Sequence, residues 1–179
     1  MAPAPGYTAP MRTDGDANLV LIGLPGAGKS TVGVLLAKAT GRNFVDSDVF
    51  IQAGQDRSLR EIIEADGLDA FRRVEEQYVL CLEVRGYVIA TGGSVVYSTA
   101  AMRRLKAGGP VIYLSLAFET VERRVRDTAA RGVVMEPGQS LRELYDQRRP
   151  LYERWADVTV DCEGRNQEQV LAAILAELE

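Results

Sequence analysis

The sequence predicts an α/β fold, a three-layer α/β/α sandwich with a five-stranded parallel sheet. Three observations carry that prediction. Short apolar runs alternate along the chain with longer stretches of helical periodicity, the pattern of parallel strands joined by helical crossovers. The first run, Leu-Val-Leu-Ile at residues 19–22, feeds into Gly-Leu-Pro-Gly-Ala-Gly-Lys-Ser at 23–30, a glycine-rich loop that opens a helix. Finally, 179 residues without an internal repeat amount to about one domain.

Taken in order, residues 1–17 are rich in Pro, Ala, Gly and Asp without periodicity. They are expected to form a mobile tail, leaving 18–179 as the folded domain. After the first strand, Gly23, Gly26 and Gly28 let the backbone curl so that amide N–H groups point at phosphate oxygens, and the helix N-terminus adds free donors. Lys29 brings a charge to the terminal phosphates, and the Ser30 hydroxyl suits a magnesium ion. Gly26, Ala27, Gly28, Lys29, Ser30 and Thr31 are therefore candidate nucleotide-binding residues. The helix continues through Val32, Leu35, Leu36 and Ala39 to a stop at Gly41.

Phe44 and Val45 make a second strand ending in Asp46-Ser-Asp48. Carboxylates at a strand's C-terminal end lie where open α/β sheets bind ligands. Residues two apart on a strand point the same way, so this pair is expected to serve metal and substrate together. The structural alternative is that Ser47 or Asp48 caps a helix beginning near Val49. Ser58 and Glu61 read as a capping box. Residues 68–85 read as one helix with Phe71, Val74, Tyr78 and Leu82 as its core stripe, and spacing alone makes Arg72 and Glu75 a solvated ion pair.

Residues 87–90 are the third strand, followed by Thr91-Gly92-Gly93-Ser94, whose glycines would let a ligand approach the backbone. Ser98 caps a helix to Lys106, Gly108-Gly109-Pro110 turns the chain, and 111–114 is the fourth strand. Residues 119–129 are helical. Arg-Gly-Val-Val-Met-Glu-Pro-Gly at 131–138 reads as a hinged loop within a lid spanning about 126–140, presenting apolar Val133, Val134 and Met135. Residues 141–156 form a helix bearing Arg148 and Arg149, interrupted or kinked near Pro150. Residues 157–160 are the fifth strand, and 167–178 a terminal helix with Val170, Ile174 and Leu178 on one side.

Composition narrows the function. With 46% hydrophobic and 26% charged residues and a net charge of −4, the chain reads as globular, with neither nucleic acid nor membrane as a partner. No apolar run approaches the roughly 18 residues a bilayer demands. Cys81 and Cys162 have no metal-ligand spacing, and a cytoplasmic address with reduced thiols is expected. The absence of histidine removes Ser-His-Asp and Cys-His catalysis. Residues 123–154 hold eight arginines against five acids, a concentration suited to phosphates and carboxylates.

From residue 19 onward these motifs together resemble the shikimate kinase family, P-loop enzymes of nucleoside-monophosphate-kinase-like fold that phosphorylate the 3-hydroxyl of shikimate with ATP. The resemblance rests on the loop at 23–30, Asp46-x-Asp48, Phe71-Arg72-x-x-Glu75, Thr91-Gly92-Gly93 and Arg148-x-Pro150-Leu-Tyr152. It implies ATP and Mg²⁺ as cofactors, Asp46 with Ser30 at the metal, and Asp48 on the acceptor's hydroxyls. Arg72 and Arg148 would fork onto a carboxylate, which replaces the ion-pair reading of Arg72, with Gly92 and Gly93 beside the acceptor. Arg131 would reach the transferred phosphate, and Arg124 and Arg165 the nucleotide. Lys29, Asp48 and Arg131 are the implied catalytic residues of a monomeric kinase.

The chain departs from the family at three places. Ser94 stands at the third glycine, Arg131-Gly-Val-Val replaces Arg-Pro-Leu-Leu, and Gln167 replaces a proline over adenine. A pocket with two arginines and Asp48 would also suit homoserine or another small hydroxy acid, whose carboxylate, hydroxyl and ammonium match those groups. A non-catalytic nucleotide switch or GTPase is the remaining alternative, against which stands the lack of an Asn-Lys-x-Asp stretch.

Overall fold

The computed structural model describes residues 15–127, 133–136 and 138–178. In chain order these form β1 (Leu19–Ile22), α1 (Lys29–Thr40), β2 (Asn43–Asp46), α2 (Ser47–Gln55), α3 (Leu59–Asp66), α4 (Leu68–Leu80), β3 (Tyr87–Ala90), α5 (Thr99–Gly108), β4 (Val111–Ser115), α6 (Phe118–Asp127), α7 (Leu141–Trp155), β5 (Val158–Asp161) and α8 (Gln167–Leu178). The five strands are all parallel, in the order β2-β3-β1-β4-β5. β1 is therefore central and buried on both faces, which explains its unbroken apolar run. Helix α1 packs on β3 and against α8, while α5 packs on α4 and α7 on β4. Every strand's C-terminal end faces the same edge, where ligands of such sheets bind. A smaller apolar cluster of Ile51, Ile62, Leu68 and Phe71 joins α2, α3 and α4 beside that edge.

The structure corrects four expectations. Asp16 and Ala17 are tied to the domain rather than part of a tail: Gly86 N–H donates to the Asp16 carbonyl at 2.9 Å and Arg42 Nε to that of Ala17 at 3.1 Å. Residues 1–14 lie outside the described residues. Asp46 and Asp48 do not share a strand, because Asp46 closes β2 and itself caps α2, accepting from the amides of Asp48 and Val49 at 2.9 and 3.3 Å. An aspartate at that position satisfies two orphan donors, so the helix starts earlier than Val49. Helix α4 ends at Leu80 rather than Arg85, since the carbonyl of Val84 turns to accept from the buried Asn18 side chain at 2.8 Å and steers the chain into β3. Helix α7 runs unbroken through Pro150. The missing N–H costs one ladder bond on an exposed turn, which α7 absorbs because Leu144, Tyr145, Arg148 and Tyr152 remain buried on its other side.

Candidate active site

A cleft of about 850 Å³ runs along the C-terminal edge of the sheet, from the glycine loop to the loop after β3. At the nucleotide end the chain leaves β1 and turns through Gly28, whose φ of 88° at the N-cap of α1 is left-handed backbone that glycine takes without strain. Lys29 opens α1 and folds back over the loop, its Nζ donating to the carbonyls of Gly23 at 2.8 Å and Leu24 at 3.0 Å. Desolvation lowers its pKa to about 8, opposed by Asp48 and Asp46. Arg124 lies across the loop, donating to the Gly26 carbonyl at 3.0 Å, and Arg165 and Gln167 line the far wall. Gly26, Ala27, Gly28, Ser30 and Thr31 line the same cleft.

Ser30 Oγ donates to Asp46 Oδ2 at 2.6 Å. These two hard oxygens fit a magnesium ion, which takes one or two protein ligands and completes its shell from water and phosphate. Among the described residues no cluster of three acids or other metal-ligating side chains exists, so a wholly protein-built cage is not what this edge offers.

At the other end stand Asp48, Glu75, Arg72 and Arg148. The Oδ1 of Asp48 and the Oε1 of Glu75 are buried without a hydrogen-bond partner. Both crowd Gly92: a Cβ there would sit 2.3 Å from Glu75 Oε1 and 2.6 Å from Asp48 Oδ1. A side chain at 92 would have to push these two carboxyl groups aside, so the close approach seen there is made by the protein's own acids. Burial raises Asp48 to about 6, aided by Asp46 and opposed by Lys29. Glu75 rises to about 7, first through burial and also through Asp48, although Ser94 and the two arginines pull it down.

Spacing paired Glu75 with Arg72, but its partner is Ser94, whose hydroxyl donates to Glu75 Oε2 at 2.6 Å. Arg72 instead meets Asp69 at 3.4 Å and Glu136 at 2.8 Å. Arg148, 1% exposed, donates through Nε to the Tyr97 hydroxyl at 3.3 Å and through a terminal nitrogen to the Val134 carbonyl. Both guanidiniums stack on one face-bearing residue, Tyr97, with their carbons 4.9 and 5.3 Å from its ring centroid. Behind them the Tyr152 hydroxyl donates to the Gly93 carbonyl at 2.7 Å, locking the loop to α7. Two cations converging beside two acidic side chains give this end of the cleft both anion-pairing and hydrogen-bond-accepting groups.

Comparison with known proteins agrees. Residues 25–179 match the family model described as shikimate kinase. A curated shikimate kinase of Thiobacillus denitrificans is 46% identical over 147 residues, 80% of either chain, and one of Mycobacterium avium is 39% identical over 89% of this chain and 92% of its own. The chain belongs to the shikimate kinase family. Among solved structures, Acinetobacter baumannii shikimate kinase in complex with shikimate superposes with a TM-score of 0.82 at 33% identity, covering 89% of this chain and 90% of that one. That of Aquifex aeolicus gives 0.78 at 31%, over 90% and 95%. As a shikimate kinase family member the chain is an ATP-dependent kinase acting on a hydroxyl.

The cleft is lined by Lys29, Ser30, Asp48, Gly92, Gly93, Arg124, Arg148 and Arg165, with Asp46 joined to it through Ser30 and Arg72 meeting Arg148 on Tyr97. Arg131 lies outside the described residues. Tyr97, Glu136 and the Ser94–Glu75 bond escaped the sequence reading, since no local pattern marks a tyrosine on a single 3₁₀ turn, Val95–Tyr97, as the seat of two arginines.

Proposed function

We propose that this shikimate kinase transfers the terminal phosphoryl group of ATP to a hydroxyl of shikimate, with the chain's residues dividing the work as follows. The supporting observation is the convergence of Arg72 and Arg148 on Tyr97, beside the unpartnered oxygen of Asp48 and open to the glycine loop. The two arginines take the acceptor's carboxylate, which fixes the ring so that its hydroxyls face Asp48. Asp48 accepts a hydrogen bond from the reacting hydroxyl and holds its proton as the oxygen attacks. With a value near 6 it is ionised at neutral pH yet close enough to neutrality to keep that proton. Lys29 exchanges its two loop carbonyls for phosphate oxygens, the amides of residues 26–31 cradle the remainder, and Arg131 adds charge at the transferred group. Arg124 and Arg165 flank the base. A magnesium ion held at Ser30 and Asp46 supplies further neutralisation of phosphate charge. Little covalent chemistry is asked of the protein, so positioning and electrostatics carry the rate. The same reading takes the enzyme to be a cytoplasmic monomer, with Cys81 and Cys162 free thiols.

The test offers shikimate and L-homoserine separately as sole acceptors with Mg·ATP and follows ADP release. Saturable turnover with shikimate and none with homoserine is expected. Turnover with homoserine alone would mean that the arginines and Asp48 serve an amino acid, and that Ser94 and the altered 131–134 sequence mark a change of substrate.

A further inference from the structure

The two arginines assigned to the acceptor's carboxylate are not left waiting for it. Arg72 carries the carboxylate of Glu136 at 2.8 Å, and Arg148 carries the main-chain carbonyl of Val134. Both oxygens come from one short stretch, residues 133–136, which lies over the acceptor end of the cleft. Its seat is fixed from below, because the Val134 side chain packs on the Ile51, Ile62, Leu68 and Phe71 cluster of α2, α3 and α4. Val133 and Val134 also line the cleft itself. One carboxylate oxygen and one carbonyl oxygen, set on two guanidiniums stacked against the same ring, reproduce what a bound carboxylate would present with its two oxygens.

We propose that residues 134–136 form an internal stand-in for the acceptor's carboxylate, so that shikimate must displace Glu136 from Arg72 to bind, and Glu136 thereby sets the acceptor's apparent affinity. This rests on the assignment of Arg72 and Arg148 to that carboxylate. Arg148 is buried and Arg72 has a buried Nε without a partner, and two such cations side by side need compensating anions; Asp69 at 3.4 Å and the buried Glu75 supply part of that, and Glu136 at 2.8 Å is the closer acid on Arg72. Glu136 suits the task because it is replaceable. It is exposed, with 47% of its side chain accessible, and among the described residues it pairs with Arg72. A population of cleft occupied by Glu136 lowers apparent affinity in proportion to the fraction left open.

The experiment measures acceptor and ATP kinetics for the wild-type protein and Glu136→Gln, with shikimate and with its carboxamide, in which the carboxylate is replaced by a neutral amide. Glu136→Gln is expected to lower the KM for shikimate by about three- to tenfold, with kcat and the KM for ATP within about twofold, and to lower the KM for the carboxamide by a similar factor, since both acceptors must find the arginines free. An unchanged or raised KM for shikimate in the variant would overturn the stand-in, while a poor carboxamide in the same data would leave the arginine assignment intact. A carboxamide as good as shikimate with the wild-type protein would overturn both.

Discussion

At the scale of single residues, burial at Asp48 does two things that pull against each other. Its value is raised from 3.8 to about 6, first by desolvation and next by Asp46, with Lys29 opposing. For the reaction this means that kcat/KM for the acceptor should fall as pH drops through about 6, while kcat/KM for ATP, which reports the nucleotide-free enzyme, should show its basic limb near 8 as Lys29 loses its charge. For the fold the sign is the reverse of the usual carboxylate. A folded-state value above the unfolded one means that ionising Asp48 costs stability, beginning above pH 3.8 and in full above about 6. Asp48→Asn should therefore abolish turnover and yet raise the melting temperature at pH 7.5, with less gain at pH 4. A variant that melts lower than wild type at pH 7.5 would show that the charge is compensated. Here a binding group is held at the expense of the structure around it.

At the scale of elements, the 3₁₀ turn Val95–Tyr97 is the smallest piece of regular structure among the described residues, and it bears the tyrosine on which the two arginines of the proposed acceptor site meet. It follows Gly92-Gly93-Ser94 directly, so the strand end that brings Gly92 against the carboxylates also presents Tyr97 to Arg72 and Arg148. The ring is the larger contributor, since the hydroxyl's bond to Arg148 is long at 3.3 Å and a shorter one, 2.8 Å, goes to Gln147. Tyr97→Ala should raise the acceptor KM about tenfold with ATP KM within about twofold, whereas Tyr97→Phe should cost threefold or less. Equal effects of the two variants would place the function in the hydroxyl, and a parallel rise for ATP would mean general loosening of the cleft. Capping was legible at this scale where it is local: Ser58 and Glu61 form the expected box, and Ser98 accepts from Ala101 N–H at 3.0 Å. The end of α4 was not, because the bond that draws Val84 away comes from Asn18, 66 residues earlier.

At the scale of the whole molecule, Asn18 shows how the sheet is sewn together. Its side chain donates to Val84 at 2.8 Å and accepts from the Tyr87 amide at 3.0 Å, and its own amide donates to Gly108 at 2.9 Å. It thus joins the entries to β1 and β3 and the end of α5 at the edge opposite the cleft. Asn18→Ala leaves a buried carbonyl and amide without partners and should cost about 2 kcal/mol in urea unfolding, with kinetic constants unchanged. A loss of kcat at full stability would argue that this edge communicates with the cleft. The chain's sequence by itself determined the alternation of strands and helices, the phosphate loop, α8 to its last residue and the family, because each depends on periodicity, turn chemistry or motif within a few neighbouring positions. Only the tertiary structure decided that Glu75 belongs to Ser94 rather than Arg72, that Arg72 and Arg148 share Tyr97, and that Glu136 pairs with Arg72. Those pairings join residues 19 to 64 positions apart, and no local preference encodes them; they arise where separate elements bring buried charges together and each charge must find a partner.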